Sequence, residues 1–183
     1  MPAVLVGLAA GVVVIVSVGL AWPLLFLLPL VPVGVALAVI DLRSHLLPTR
    51  IIWPTFAAVV ALATISALLE QHPAALVRAA AGSAVVFACF HILWWIHPRG
   101  MGYGDVRLSA VLGFVLGYLG WGELVVGVYG GFLAFAVLGG LAALVRRDRA
   151  LLRTSYPFGP FLLAGALAGV AVGGEVWAHL VSG

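Results

Sequence analysis

Two aspartates stand at the ends of apolar segments, where a carboxylate is placed to do chemistry. Asp41 follows the apolar run that ends at Ile40, and Asp105 precedes the run that begins at Val106. A carboxylate within a membrane span costs about 2.5 to 3.5 kcal/mol on insertion scales and tends to mark function, although the cost is lower at a helix end. Ordinary alternatives exist: Asp105 could be a helix N-cap, and Asp41 a polar loop residue. As two of six acids, both beside glycine or proline breaks, they are the leading candidates for a functional site.

Two glycines precede the second aspartate and favour chemistry on a peptide backbone. Gly102 and Gly104 flank Tyr103, and positions without a side chain let another backbone come close. An extended peptide could lie there and use main-chain hydrogen bonds. A helix exposes no scissile bond to water until it unwinds, and irregular backbone at membrane depth is tolerated only where it lines a cavity. We therefore predict that these two glycines form the backbone of a substrate cleft.

The composition is that of a membrane protein. Hydrophobic residues make up 64% of the 183-residue chain and charged residues only 8%, and the mean hydropathy is +1.25. A soluble domain usually carries about 25% charged residues, because its surface must be hydrated. The lipid bilayer must therefore contact most of this surface, and we predict a single transmembrane domain over residues 1–183. The net charge of +3 gives no indication of nucleic-acid binding.

Seven apolar segments approach the length of about 20 residues that a membrane-spanning helix needs. No Lys or Arg precedes the first segment, which we interpret as a retained span rather than a signal peptide. The predicted fold class is all-α, a polytopic transmembrane helix bundle of about seven spans. The segments are approximately Ala3–Leu20, Leu24–Ile40, Ile51–Leu69, Leu76–Ile96, Val106–Leu119, Leu124–Val145 and Phe158–Leu180.

The arginines predict the orientation of the bundle. Short loops rich in Arg stay in the cytoplasm, so the N-terminus is expected inside, the C-terminus outside, and both aspartates at the cytoplasmic face. Arg78, near the start of the fourth segment, is the exception. We interpret the arginines near the aspartates as orientation determinants in preference to substrate-contacting groups. The connections after the second, fourth and sixth segments hold Arg43, Arg50, Arg99, Arg146, Arg147, Arg149 and Arg153, with Arg107 nearby.

Small residues recur every four positions in two segments. Such stripes let helix backbones approach closely in lipid, and we favour packing within the bundle over a dimer face. The oligomeric state is left open. The stripes are Gly113 and Gly117 in the fifth segment and Gly165, Gly169 and Gly173 in the last.

The histidines and the single cysteine do not predict a metal site. Cys89 alone excludes an internal disulfide and a cysteine-based zinc module. His45 and His97 lie in two separate loops without the spacing of a helical metal-binding pair. His91, in the fourth segment, is interpreted as a buried hydrogen-bonding residue. We expect no metal and no cofactor.

Three segments carry a resemblance to a known family. The first is Ile40-Asp41 followed by Leu46-Leu47-Pro48, the second is Gly102-Tyr103-Gly104-Asp105 followed by Arg107-Leu108, and the third is Pro157-Phe158-Gly159-Pro160-Phe161-Leu162. In this order they resemble the aspartic prepilin peptidases, or type IV leader peptidases, which are membrane proteases of the G-x-G-D type. The resemblance extends from about Ala36 to Gly169.

The resemblance implies a catalytic mechanism. Asp41 and Asp105 would be the catalytic pair, sharing one proton because two close carboxylates cannot both ionise cheaply, and a water between them would attack the peptide carbonyl. From the dipoles of their own helices we hypothesise that Asp105 starts as the base and Asp41 as the proton donor. The substrate would be a pilin or pseudopilin precursor, whose basic leader is cut at the cytoplasmic face of the inner membrane.

Arg107 stands where Lys is common, but two other departures from the family pattern matter more. The first is Thr49, which stands where Asn or Asp is common after the proline. The N-terminal region with paired cysteines, which longer members carry and which is linked to N-methylation, is absent from this sequence. The chain therefore resembles the short, protease-only members, such as those that serve Flp pili, and methyltransferase activity is not expected.

Other functions would leave other patterns in the sequence. A small transporter would show internal duplication and polar groups near the middle of several spans, and the sequence shows neither. A non-catalytic membrane subunit would not need both Asp41 and Asp105. A protease of the presenilin branch normally has Tyr before its first aspartate, where this chain has Ile40.

Overall fold

The protein is a bundle of helices that run alternately up and down. A computed structural model describes residues 1–98, 101–145 and 157–182, and every regular element in those ranges is an α-helix. Five of them are long and apolar enough to cross a membrane, while α1 and α5 have 17 residues each. The predicted all-α polytopic bundle is confirmed. The helices are α1 (Pro2–Val18), α2 (Leu24–Ser44), α3 (Thr49–Leu69), α4 (Ala74–Ile96), α5 (Tyr103–Leu119), α6 (Trp121–Val145) and α7 (Gly159–Ser182).

Both aspartates lie inside helices, because the helices continue past the apolar segments. Helix α2 continues to Ser44, which places Asp41 in its last turns and not in a loop. Helix α5 begins at Tyr103 with Gly102 as its N-cap, so Asp105 occupies the third position of the first turn. Asp105 is therefore not the N-cap residue and Asp41 is not a loop residue, but Asp105 still lies in the first turn, where a carboxylate stabilises its helix.

Helix α5 occupies the centre of the bundle. It packs against α3, α4, α6 and α7, and its side chains from Val106 to Tyr118 are buried with the exception of Arg107. Helix α1 lies at the periphery against α2 and α7. A helix enclosed on nearly all sides holds its first turn rigidly, and that turn carries Asp105.

The glycine stripes hold neighbouring helices together inside the bundle. A Cβ atom at Gly113 would lie 2.9 Å from the carbonyl oxygen of Gly82, so α4 and α5 touch backbone to backbone. A Cβ atom at Gly169 would lie 2.8 Å from the Cα atom of Gly127, which places α7 equally close to α6. The prediction that the stripes serve internal packing is confirmed.

Arg78 caps the end of α5 that lies opposite Asp105. Its guanidinium donates to the carbonyl oxygens of Gly117 at 2.7 Å and of Leu119 at 3.1 Å, and also to that of Tyr118. Cations stabilise the carbonyl end of a helix, which otherwise has unpaired acceptors. This exception to the arginine pattern therefore has a structural role. The hydroxyl of Tyr118 further donates to Glu70 Oε2 at 2.9 Å.

Candidate active site

The two aspartates lie at the same end of the bundle and are both buried. Asp41 is 4% exposed and Asp105 is 6% exposed. Both lie next to Leu47, which packs on Gly104 beside Asp105 and on Gly159 beside Asp41. Burying an ionised carboxylate is costly unless hydrogen bonds or a partner compensate, so the surroundings of each carboxylate decide what it can do.

Asp41 accepts a hydrogen bond from the beginning of the last helix. The backbone N–H of Gly159, the first residue of α7, donates to Asp41 Oδ2 at 3.1 Å. The first N–H groups of a helix have no partner within it and carry the positive end of the helix dipole, so they stabilise an anion. A Cβ atom at residue 159 would lie 2.7 Å from the same oxygen, so glycine is required for this approach.

Aromatic packing fixes the start of α7. The ring of Phe158 lies 5.1 Å from that of Phe132 and 5.2 Å from that of Phe135, both on α6, and 6.0 Å from that of Phe90 on α4. Sequence reasoning had given Gly159 no role. Its place in the Pro157–Leu162 motif was the only signal.

Asp105 has a different environment. Its Oδ1 atom is buried and has no hydrogen-bond partner among the described residues. Its Oδ2 atom lies on the side of Gly102, where a Cβ atom would come within 3.3 Å of it. A buried carboxyl oxygen without a partner is costly when the group is ionised and less so when it carries a proton.

Leu47 covers the region between the two carboxylate-bearing helices. A Cβ atom at Gly104 would lie 2.6 Å from the Cβ atom of Leu47 and 3.3 Å from its carbonyl oxygen. A Cβ atom at Gly159 would lie 3.3 Å from Leu47 Cδ1. Of the two glycines predicted to form a cleft, Gly104 thus packs under the loop between α2 and α3, while Gly102 is exposed.

The first turn of α5 also rests on aromatic rings of α4. The ring of Tyr103 meets that of Trp94 edge to face at 4.8 Å and lies 6.0 Å from that of His91. His91 stacks on Phe87 at 5.7 Å, and its Nδ1 atom is buried without a partner among the described residues. The structure therefore does not support the hydrogen-bonding role predicted for His91, because its neighbours are rings rather than polar groups.

Thr49 and Arg107, which both differ from the residues common in the family, meet in the structure. The guanidinium of Arg107 donates to the hydroxyl of Thr49 and lies 4.6 Å above the centre of the Tyr103 ring. Arg43 and Arg50 are exposed at the same end of the bundle. Arg99, Arg146, Arg147, Arg149 and Arg153, which also entered the orientation argument, lie outside the described residues.

No metal site accompanies the aspartates in the described part of the chain. Within residues 1–98, 101–145 and 157–182, no three His, Cys, Asp or Glu side chains are grouped as ligands of a metal ion.

The comparison with known families decides the assignment. The model of the type IV leader peptidase family matches residues 28–145, which include Asp41, Leu47, Gly104 and Asp105. The chain belongs to this family. The family resemblance predicted from the three motifs is confirmed.

Type IV leader peptidases of two lengths match the chain. Leader peptidase HopD of Escherichia coli is 32% identical over 167 residues, covering 86% of this chain and 96% of HopD. The prepilin leader peptidase/N-methyltransferase of Escherichia coli K12 is 31% identical over 134 residues, 72% of this chain and 56% of that protein. The Bacillus subtilis protein of the same name is 32% identical over 142 residues, 78% of this chain and 53% of that protein. The chain spans about half the length of these two longer relatives. No solved structure matches it.

Gly104→Ala is expected to destabilise this type IV leader peptidase fold by about 1 to 3 kcal/mol. The new methyl group would meet the Cβ atom of Leu47 at 2.6 Å, and a Cβ atom cannot move without its backbone. The melting temperature of the purified protein in detergent micelles measures the effect. Gly102→Ala is the matched control, since its methyl group would meet no backbone atom nearer than 4.0 Å and would lie 3.3 Å from Asp105 Oδ2, a side-chain atom. Equal melting temperatures for the two variants would contradict the prediction.

Proposed function

We propose that the protein is a membrane-embedded aspartic endopeptidase that removes the basic leader from type IV or Flp-like pilin precursors. The observation that carries the proposal is the pair of buried carboxylates, Asp41 and Asp105, at one end of a bundle that belongs to the type IV leader peptidase family. Two adjacent buried carboxyl groups favour a state with one proton between them, which is the state that hydrolyses peptides.

The surroundings of the two groups support Asp41 as the base and Asp105 as the acid. Asp41 accepts the N–H of Gly159 at the positive end of α7, which favours its ionised form. Asp105 has a buried oxygen without a partner among the described residues, which favours its protonated form, while the backbone of Gly102 beside its other oxygen acts in the opposite sense. This reverses the assignment hypothesised from the sequence, because that argument considered only the helix to which each aspartate belongs.

The chemical steps follow from this assignment. Asp41 takes a proton from a water molecule as the water oxygen bonds to the scissile carbonyl carbon, and Asp105 gives its proton to the carbonyl oxygen. The tetrahedral diol then collapses: as the carbon–nitrogen bond breaks, Asp41 gives its proton to the leaving amine, and Asp105 takes a proton from one diol hydroxyl, which becomes the carbonyl of the new carboxylic acid. Both carboxyl groups end as they began, so no cofactor is needed.

The proposed location of the reaction is the cytoplasmic face of the inner membrane. Arg43 and Arg50 lie exposed at the same end of the bundle as the aspartates, and Arg-rich ends of membrane proteins stay inside. A pilin precursor carries its basic leader on that side of its apolar helix, so the scissile bond would reach the pair without crossing the bilayer.

We propose that cleavage takes place without N-methylation. HopD, which this chain covers almost end to end, is named a leader peptidase only. The relatives named for both activities extend well beyond the matched part.

Co-expression with candidate prepilins tests the proposed function. The expected result is loss of the leader, seen as a size shift on a gel, with a mature pilin whose mass matches the unmethylated N-terminus. Cleavage that persists with Asp41→Asn or Asp105→Asn would contradict the proposal, provided that cells without the protein leave the prepilin uncut. A product heavier by one methyl group would contradict the protease-only proposal.

A further inference from the structure

Arg107 makes two contacts that clamp its guanidinium between helices. One N–H donates to the hydroxyl of Thr49, the first residue of α3. The flat face of the group lies over the ring of Tyr103, with 4.6 Å from its central carbon to the ring centre. Tyr103 is itself held by Trp94 of α4 at 4.8 Å. A planar guanidinium can satisfy a hydroxyl and a ring at once, which an ammonium group does poorly.

These contacts join the two segments that carry the aspartates. Asp41 lies near the end of α2, and only four residues, His45 to Pro48, separate that helix from Thr49. Asp105 and Arg107 share the first turns of α5. The hydrogen bond from Arg107 to Thr49 therefore links the start of α3 to the first turns of α5. The short segment between Asp41 and Thr49 includes Leu47, which packs on Gly104.

Arg107 does not act by pairing with Asp105. Side chains two positions apart on a helix point to opposite sides, so Arg107 faces α3 when Asp105 faces Asp41. Its guanidinium contacts the Thr49 hydroxyl and the Tyr103 ring instead of the Asp105 carboxyl group.

We propose that Arg107 is a positioning residue for the proposed reaction: through Thr49 it holds the loop after Asp41 on the first turn of α5 and so sets the separation of the two carboxylates. The inference rests on the proposed function, and it replaces the interpretation of Arg107 as an orientation determinant alone. Misplacing a catalytic group by about 1 Å can cost about 10²-fold in rate. The loss should appear in kcat, because the substrate need not touch Arg107.

The test compares variants of both partners on a purified prepilin substrate. Arg107→Met and Thr49→Val are each expected to lower kcat about 10- to 100-fold while KM changes less than about threefold. The double variant should be no slower than the slower single variant, since both changes break one contact. Thr49→Ser keeps the hydroxyl and should keep kcat within about twofold. Arg50→Met is the matched control, because Arg50 is next to Thr49 but exposed, and it should also keep kcat within about twofold.

The outcomes separate positioning from the alternatives. Thr49→Val removes no charge. If Arg107 only determined the membrane orientation, the Thr49→Val variant would be fully active. Full activity of this variant would therefore overturn the inference. Multiplicative losses in the double variant would overturn it as well.

Hydrogen exchange of the 45–48 loop gives a readout that does not depend on activity. Exchange should accelerate in Arg107→Met and Thr49→Val and not in Arg50→Met. Exchange rates that stay unchanged in the first two variants would overturn the inference. A wild-type protein that cleaves no prepilin, with accelerated exchange in the two variants, would instead count against the proposed function alone.

Discussion

Asp41→Asn and Asp105→Asn are each expected to lower kcat for leader cleavage by at least about 10³-fold. Asparagine keeps the shape of the side chain but can neither take a proton from water nor give one to the carbonyl oxygen. Because the two groups act as one unit, the double variant should be no slower than either single variant. Single-turnover cleavage of a purified prepilin in detergent or liposomes measures the rates.

Stability provides the control for these two variants. Both carboxylates are buried, at 4% and 6% exposure, and burial of such groups costs free energy. The variants are therefore expected to melt at the wild-type temperature or above it, as happens when a site is built at the expense of stability. Glu175→Gln, exposed near the other end of α7, is the matched carboxylate control and should keep full activity. Retention of more than about a tenth of the rate by either aspartate variant would refute the pairing.

Gly159→Ala is expected to lower kcat by about 10²-fold. The added methyl group would meet Asp41 Oδ2 at 2.7 Å and its Cγ atom at 3.3 Å, so either the carboxylate rotates away or the start of α7 retreats. In both cases Asp41 loses the N–H that holds it, and loss of one preorganised donor costs an active site about 10²- to 10³-fold.

Gly130→Ala is the control for the Gly159 variant, since its methyl group meets nothing nearer than 4.0 Å. The same kinetic assay should give it wild-type kcat. Normal kcat in Gly159→Ala as well would mean that the hydrogen bond to Asp41 contributes nothing to catalysis.

The sequence predicted the helices well and their ends less well. In a bilayer the backbone must satisfy its own hydrogen bonds, so an apolar run can only become a helix, and all seven segments did. The ends are set by residues that the apolar pattern does not mark, such as Pro48 before α3 and Gly120 before α6. Helix α3 begins at Thr49 and α6 at Trp121, before the predicted starts, while α2 continues through Asp41 to Ser44.

The individual residues of the site were visible in the sequence, but their partners were not. Asp41 and its donor Gly159 are 118 residues apart, and which helix start meets which carboxylate depends on how the bundle is arranged. Thr49 and Arg107 were each noted as departures from a pattern, yet their contact depends on α3 and α5 lying side by side. The spacing of residues along the chain does not show which helices pack side by side.

The enclosed position of α5 has a consequence for how the protein is made. With only 17 residues, and with Asp105 and Arg107 in its first turns, this helix gains less from partitioning into lipid by itself than a longer span without charges would. Its backbone meets that of α4 at Gly82 and Gly113, and Arg78 of α4 holds its last carbonyls. During synthesis α4 precedes α5 and brings these contacts with it, so the two would leave the translocon as a preassembled hairpin, and the helix that carries Asp105 would enter the membrane already paired.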